Sequence, residues 1–506
     1  MARSRVRGLT RREALVSGLA AGGAVLLAGC GDGSGPAAAS GSTLASTWGD
    51  PVGDGQLRVS AREPLRSRFD LGPAARPVAE LARIAHVTDM HVLDAESPAR
   101  VTFLNRLGAP FTSTFRPHET LTAQVLGGAL RSVRAFRPAA VIQGGDLIDN
   151  AQANELEWAL AALRGASVRP GSGSSKYIGV QLASNPDPFY YRPDVDSPLH
   201  PGLLGRARRP FASPGAGAPW YPVLGDHDIL VGGELVPTAQ TQALALGNRA
   251  LWELPPNLRA PPGASAATGG SPDGPVDPGL VDGFLGQALA GPTVGVPADQ
   301  GRRELGAAEV VDRLRSAARL GPGSVGPFLD YTIDVGPSVR LVVVDLARRD
   351  GGSGGLVRPD QPAWLVAQLA AAGRRWVIFV SHQPLASSIG GNRLLDALDQ
   401  SPRVIGAVFG HTHHNRITPR PTVAGGYWQI GTASLVDYPQ QARALRVLAT
   451  AGGGVAIETW MLDHAGANPL GPIARQLSYL DAHGGRPKGF AGAPLDRNVR
   501  LYRRAA

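Results

Sequence analysis

The sequence predicts an α/β domain, and three observations favour this fold class. Short apolar runs typical of buried strands alternate along the chain with stretches of helical periodicity. Asp and His residues directly follow several of these runs. Two long stretches rich in Gly, Pro, Ser and Asp interrupt the alternation. Strands that alternate with helices are typical of sheets covered by helices, so we expect one large domain with long loop insertions.

The predicted elements follow in chain order. Strands are predicted at the apolar runs 83–87, 139–143, 220–224, 339–345, 376–380, 404–409 and 427–430. A helix is predicted after the first strand, where six apolar residues share one face: Leu121, Val125, Leu126, Ala129, Leu130 and Val133. A second helix is predicted from Leu156, Ala159, Leu160 and Leu163. A third is predicted over 361–370, with Asp360 as its N-cap.

The two interrupting stretches cover about 166–219 and 231–327. Such composition is usual for flexible linkers. Each stretch, however, lies between two Asp/His pieces that must meet if they form one site. We therefore interpret both as ordered flaps or caps over the mouth of that site, because long loops in compact domains are usually functional or disordered. The apolar side chains that would pack them down are Phe189, Tyr190, Tyr191 and Trp220.

The first 29 residues have the pattern of an export signal. Arg11 and Arg12 precede an apolar stretch over 14–29, which is too short and too rich in Gly and Ala for a confident membrane span. The paired arginines favour the twin-arginine route. The stretch ends in Leu27-Ala28-Gly29-Cys30, which resembles the bacterial lipobox.

We therefore expect lipid modification of Cys30, followed by a tether and an N-terminal extension over 30–80. The protein would lie in the cell envelope, on the outer face of the cytoplasmic membrane, with the membrane as a partner through the lipid anchor. The alternative is a plain secretory signal and a secreted protein. Cys30 is the single cysteine of the chain, so an internal disulfide is impossible.

The formal net charge of +9 would ordinarily suggest a nucleic-acid partner. The five Arg and one Glu before Cys30 account for +4 of that charge. The remaining basic residues are almost all Arg and are scattered, with no basic run interleaved with aromatic residues. Nucleic acid is therefore not expected as a partner.

Five short pieces carry the chemistry that the sequence predicts. They are Asp89-Met90-His91, Gly145-Asp146, Gly225-Asp226-His227-Asp228, Ser381-His382 and Gly410-His411-Thr412-His413. Together they offer enough oxygen and nitrogen ligands for two adjacent metal ions, which need a bridging carboxylate plus imidazoles and further carboxylates. Each piece alone is a weak signal, but five of them at strand ends are a strong one.

Spacing suggests how these pieces would be used. Alternate residues of an extended segment share a side, so Asp89 and His91 are predicted to reach one metal, and His411 and His413 to enter the same site. Asp146 follows a Gly-Gly pair that lets backbone approach closely, which makes it the predicted bridge.

In this order the pieces resemble the motifs of the calcineurin-like metallophosphoesterase superfamily. The resemblance covers roughly 82–462 without the insertions, and the export signal and long inserts are similar to an exported branch of the family. It implies a sandwich of two mixed β-sheets flanked by helices. The domain would span 81–465, followed by a C-terminal extension over 466–506.

The resemblance also implies roles. One metal would be held by Asp89, His91, Asp146 and His413, and the other by Asp146, Asp226, His382 and His411. His227 would sit over the substrate phosphate as the catalytic group. Asp149, Asn150 and Asp228 would lie behind these residues, and Asp228 or another carboxylate would orient His227. The ligand types suit Fe, Mn or Zn about equally.

The implied reaction is hydrolysis of a phosphate ester, a monoester or a diester, by a hydroxide that bridges the two metals. Asp226 departs from the family, which has Asn at that position, and adds one negative charge. The alternative is a non-catalytic metal-binding surface lipoprotein that retains the fold.

Overall fold

The computed structural model describes residues 40–100, 102, 114–251, 278–321, 327–465, 470–484 and 489–505. The predicted export signal, Cys30 and the start of the tether lie outside the described residues. Among the described helices, none combines the length and apolar character needed to cross a membrane.

The strands, numbered in chain order, are β1 (Thr47–Gly49), β2 (Arg58–Ser60), β3 (Arg66–Leu71), β4 (Pro77–Val87), β5 (Ala140–Gln143), β6 (Ser167–Val168), β7 (Phe211–Ala212), β8 (Trp220–Pro222), β9 (Arg249–Leu251), β10 (Thr293–Gly295), β11 (Tyr331–Val335), β12 (Val339–Val343), β13 (Trp376–Val380), β14 (Val404–Phe409), β15 (Arg416–Arg420), β16 (Tyr427–Gly431), β17 (Gln441–Thr450), β18 (Val455–Asp463) and β19 (Val499–Arg503). The helices are α1 (Thr122–Phe136), α2 (Ala153–Arg164), α3 (Leu203–Ala207), α4 (Ala239–Leu246), α5 (Pro278–Leu289), α6 (Ala307–Ala318), α7 (Gln361–Ala371), α8 (Gly391–Asp399) and α9 (Leu470–Gly484).

Two large mixed sheets form the centre of the fold. One has seven strands in the order β3-β19-β18-β17-β4-β5-β8, and the other has six in the order β11-β12-β13-β14-β16-β15. Strands β4, β5 and β8 run parallel in the first sheet, and β12, β13, β14 and β16 run parallel in the second. Helices flank these sheets, so the predicted α/β fold class with two mixed sheets is confirmed.

The core lies between the two sheets. Ile84 and Val141 of the first sheet belong to the same buried apolar cluster as Leu341 and Ile378 of the second. The alternate residue Val342 belongs instead to a separate cluster that includes apolar residues of α7 and α8. Strand β12 is therefore buried on both faces, which explains why parallel strands of this kind have nearly continuous apolar sequences.

The predicted strands and helices are present, and most of the differences are at their ends. Strands β13 and β14 have the predicted bounds, whereas β4 begins at Pro77 and β8 ends at Pro222. Asp360 is the N-cap residue of α7, as predicted, but it lacks the expected capping geometry. Asp360 precedes the helix, but its backbone is already helical (φ −79°, ψ −26°) and its side chain makes no capping hydrogen bond.

Both terminal extensions contribute to the first sheet. Strand β19, from the predicted C-terminal extension, pairs with β18, and β3, from the N-terminal extension, pairs with β19. The sheet therefore includes residues from outside the predicted span 81–465.

The described parts of both insertions are ordered. The stretch 166–219 contains β6, α3 and β7, and Tyr190 is fully buried there against Phe115 and Phe189. Phe189 itself remains 36% exposed. Trp220 is part of β8 and belongs to the same buried apolar cluster as Val168, Leu203 and Ala216 of this insertion. A role of the insertions as caps over the site stays a prediction.

Candidate metal centre

The predicted ligands follow the carboxyl ends of parallel strands. Asp89 and His91 follow β4, and Asp146 follows β5. Asp226 and His227 follow β8, His382 follows β13, and His411 and His413 follow β14. Parallel strands end at the same edge of a sheet, and sites in α/β proteins gather there. The two sheets therefore bring all five pieces together.

The backbone of these pieces is not extended as predicted from their spacing. Asp89 (φ 51°), His91 (φ 43°), His411 (φ 62°) and His413 (φ 56°) all have left-handed conformations. Such conformations are uncommon outside Gly and are found at functional sites, where the surrounding structure offsets their cost. The paired ligands therefore converge through left-handed turns rather than through the alternation of a strand.

The predicted Gly-Gly pair serves the close approach expected of it. A Cβ atom at Gly144 would lie 2.2 Å from His86 Nε2, and one at Gly145 would lie 2.3 Å from His382 Nδ1. The segment that carries Asp146 can therefore pass this close to His86 and His382 only because both residues are Gly.

The ligands form two sets whose donor atoms lie within 4.8 Å of one another. We call Asp89, His91 and His413 the first set. His413 Nε2 lies 3.3 Å from both Asp89 Oδ1 and His91 Nε2.

Asp146, Asp226, His382 and His411 form the second set. Asp226 Oδ1 lies 3.3 Å from His382 Nε2 and 3.2 Å from His411 Nδ1. All seven predicted metal ligands are therefore present in the two sets.

Asp146 lies between the sets. Its Oδ2 atom is 3.1 Å from His382 Nε2 in the second set and 3.6 Å from His91 Nε2 in the first. Its Oδ1 atom accepts a hydrogen bond of 3.0 Å from the backbone N–H of His227. One carboxylate thus faces the imidazoles of both sets, as a bridging ligand must.

His227 borders the second set through one ring nitrogen. Its Nδ1–H donates to the backbone carbonyl of Asp149 at 2.8 Å, which leaves Nε2 4.0 Å from Asp226 Oδ2. Gly233, near the start of the second insertion, lies against the ring, since a Cβ there would be 2.4 Å from His227 Cδ2. The ring is therefore fixed in orientation with Nε2 toward the metal ligands.

Of the two suggestions for the group that orients His227, Asp228 or another carboxylate, the contacts of the His227 ring favour the second. Asp228 accepts hydrogen bonds from the backbone N–H groups of Leu147, Ile148 and Gly225, so it holds two ligand loops together. Burial, together with the nearby charge of Asp146, raises the pKa of Asp228 to about 7. The group that holds the His227 ring is Asp149.

Asp149 and Asn150 lie behind the candidate ligands. Asp149 Oδ1 accepts a hydrogen bond of 2.8 Å from His91 Nδ1, and Asp149 also forms an ion pair with Arg100. Asn150 donates to Asp149 Oδ2 at 3.2 Å and accepts from Gly232 N–H. His91, Asp149 and His227 also form a compact set, but Asp149 is already paired with Arg100 there.

Sequence reasoning missed several residues around the site. Asp437 accepts a hydrogen bond of 2.6 Å from His413 Nδ1 and pairs with Arg116. Gln383 donates to Asp226 Oδ1 at 3.0 Å. Phe490 contacts the rings of both His413 and His414. Asp437 and Phe490 lie in irregular segments with no periodicity, so no local signal identifies them.

The carboxylates and imidazoles of the site shift one another's pKa values. Burial alone would lower the pKa of His382, but Asp146, Asp226 and Asp89 outweigh it and raise that pKa well above its ordinary value. Burial would also lower the pKa of His413, but Asp89 and Asp437 outweigh burial and raise that pKa to about 9. Burial would raise the pKa of Asp226, yet the neighbouring His411 and His382 hold it well below its usual range. The site therefore favours positive charge among its carboxylates.

The hydrogen bonding of the His382 ring also fits a metal-bound imidazole. His382 Nε2 is buried and makes no hydrogen bond within the described residues, although carboxylate oxygens of Asp146 and Asp226 lie nearby. The opposite nitrogen of the ring donates to the Gly144 carbonyl at 2.8 Å. An imidazole that is hydrogen-bonded on one side, with its other nitrogen aimed at carboxylates, is typical of a metal-bound His.

No protein-family model matches the chain, and no curated protein matches it. Matching solved structures include a dimetal phosphatase from Danio rerio, at 12% identity, with a TM-score of 0.40 over 76% of this chain and 100% of that one. They also include the sulfate thiohydrolase SoxB of Thermus thermophilus in complex with glycerol. That match has 12% identity and a TM-score of 0.28, and covers 82% of this chain and 62% of the other.

Proposed function

We propose that this chain belongs to the calcineurin-like metallophosphoesterase superfamily and hydrolyses phosphate esters with two metal ions. The observation that carries the proposal is the position of Asp146, whose Oδ2 atom faces imidazoles of both ligand sets. A bridging carboxylate between two His/Asp sets is the arrangement that two-metal hydrolysis requires. The five motifs in family order support the same proposal independently.

The ions would be held by Asp89, His91, Asp146 and His413 on one side and by Asp146, Asp226, His382 and His411 on the other. When bound, metals of this kind lower the pKa of water and stabilise charge on a phosphoryl group. The ligands suit Fe, Mn or Zn.

His227 would assist at the leaving group. Its Nδ1 is held by the Asp149 carbonyl, while Nε2 points toward the ligands. Burial alone would lower the pKa of His227, but Asp146, Asp149 and Asp226 outweigh burial and raise it to about 10 in the metal-free chain. A protonated imidazole so placed can stabilise phosphate charge and give its Nε2 proton to the departing oxygen.

Metal analysis of the purified protein, combined with a screen of mono- and diester substrates, tests this function. We expect two Fe, Mn or Zn ions per chain and hydrolysis of at least one ester class. Two bound metals without any hydrolysis would favour the alternative, a non-catalytic metal-binding lipoprotein, for which the charge added by Asp226 is the main argument. No metal and no hydrolysis would refute both.

We propose further that the protein is exported by the twin-arginine route and tethered to the outer face of the cytoplasmic membrane through Cys30. Arg11, Arg12 and the Leu27-Ala28-Gly29-Cys30 sequence support this proposal. Changing both arginines to Lys should retain the protein inside the cell. Cys30→Ala should release the exported protein from the membrane fraction, and unchanged membrane association would contradict the lipid anchor.

A further inference from the structure

The direct ligands of the two metal positions are equal in type. Each position has one carboxylate of its own, Asp89 or Asp226, and two imidazoles, and Asp146 faces an imidazole of each. Because Asp226 is a carboxylate, the two positions also receive equal charge from their direct ligands. The groups that hold the imidazoles then become the main source of a difference in affinity between them.

In the first set, each imidazole is held by a buried carboxylate. His91 Nδ1 lies 2.8 Å from Asp149 Oδ1, and His413 Nδ1 lies 2.6 Å from Asp437 Oδ2. Asp149 is 3% exposed and Asp437 is 5% exposed. Each carboxylate fixes the tautomer and ring orientation of its His and strengthens the other nitrogen as a metal ligand.

Buried arginines fix both carboxylates in turn. Arg116 donates to Asp437 from Nε at 2.8 Å and from Nη2 at 3.1 Å, and Arg100 pairs with Asp149. Glu119 connects the two arginines. Its Oε2 accepts a hydrogen bond from Arg100 Nη2 at 2.7 Å and another from the backbone N–H of Arg116 at 3.3 Å. The pairing of Arg116 with Asp437 uses two nitrogens of one guanidinium, the geometry that restricts a carboxylate most.

The second set lacks such support within the described residues. The acceptor behind His382 is the neutral carbonyl of Gly144 at 2.8 Å. The polar contact of the His411 ring is between Nδ1 and Asp226 Oδ1, and that nitrogen is itself in the ligand set. Neither imidazole of this set is backed by a further carboxylate there.

We infer that Asp437 and Arg116 are positioning residues that make the metal position of Asp89, His91 and His413 the tighter of the two. The inference rests on the proposed two-metal function and goes beyond it, because it predicts sequential rather than equal loading. Loss of one outer partner of a metal-bound His typically weakens metal binding by about 10–100-fold. The two positions should therefore differ in affinity by about that factor.

Calorimetric titration of the metal-free protein with Zn²⁺ tests the inference. The wild type should show two binding events that differ by about 10–100-fold. His411→Ala should remove the weaker event. Asp437→Asn should weaken the tighter event by about 10–100-fold and leave the weaker one unchanged, and Arg116→Lys, which keeps a cation, should have a smaller effect in the same direction. Co²⁺ absorption, titrated in parallel, should show the same order of loading.

Asp330→Asn is the matched control, because it breaks another Arg–Asp pair, with Arg358, that does not contact a ligand His. It should leave both binding events unchanged. Thermal unfolding of the metal-free variants identifies any that do not fold. If Asp437→Asn does not fold, the titration of Arg116→Lys decides the inference. Two equal events in the wild type, or an unchanged tighter event in a folded variant, would overturn the inference. Absence of all metal binding in the wild type would instead refute the proposed function.

Discussion

The strand-end loops and the two insertions differ in what they contribute to the site. The loops after β4, β5, β8, β13 and β14 supply every residue of the two ligand sets. The described parts of the insertions supply none. They contribute cations instead. The partly buried Arg208 pairs with Glu96, and the fully buried Arg302 lies 3.2 Å from Asp94; Glu96 and Asp94 are in the segment that follows His91. The candidate metal ligands thus lie in the loops, and the insertions contact the segment next to them.

The largest expected effect comes from Asp146, the loop residue that faces imidazoles of both ligand sets. Asp146→Asn removes the charge between the sets, so we expect loss of both metals and a fall in hydrolysis exceeding the roughly 10–100-fold typical of an outer partner. Metal content per chain and the rate with the best ester would measure it. Asp312→Asn, an exposed carboxylate on α6, is the control. Full metal content in Asp146→Asn would contradict its bridging position.

His227→Ala tests whether the loops also hold a group for the chemical step. We expect a fall in kcat of about 10²–10⁴-fold, because a positioned proton donor typically contributes that much. Metal content should remain at two per chain, since His227 is in neither set. The loss should be largest for esters with poor leaving groups. An unchanged kcat across leaving groups would rule out this role.

Arg302→Met tests the bracing function of the insertions. Arg302 is fully buried, and its removal leaves Asp94 buried without its cation, so we expect a loss of about 3–5 kcal/mol in the free energy of unfolding. Urea denaturation would measure it, with two metals per chain retained.

Arg303→Met is the adjacent control for this experiment. Arg303 forms an exposed ion pair with Glu309, which should contribute only about 0–1 kcal/mol. Equal losses in the two variants would mean that the buried pair does not brace the loop.

Asp226→Asn has the smallest expected effect. It restores the amide that the family resemblance implies and removes one charge from the second set, so metal affinity at that position should fall by roughly tenfold. Phosphomonoesterase and phosphodiesterase rates should change with the metal supplied. Unchanged affinity and unchanged rates with Fe, Mn and Zn would show that the substitution does not tune the site.

The contrast between loops and insertions also explains how much could be predicted from the sequence. Strands such as β13 and β14 were predictable because they are buried on both faces and therefore continuously apolar. The candidate ligands could be proposed because five Asp/His pieces each follow a strand within a few residues, in the order of the family motifs. The helix over 361–370 was predictable as well, but the helical backbone conformation of Asp360 was not.

The remaining features depend on contacts between distant parts of the chain. Asp437 meets Arg116 across 321 positions, and Arg302 meets Asp94 across 208. Nothing in the local sequence around any of these residues differs from that of an exposed charged residue. The left-handed turns at His91 and His413 were equally hidden, because they are imposed by the surrounding packing on residues that do not favour them.

The number of metals bound per chain tests the central claim most directly. Wild-type protein should bind two ions. The double variant His91→Ala/His413→Ala and the double variant His382→Ala/His411→Ala should each bind one, because each removes the imidazoles of a single set. Fewer than two ions in the wild type, or two ions retained in either folded double variant, would contradict the assignment of these seven residues to a two-metal site.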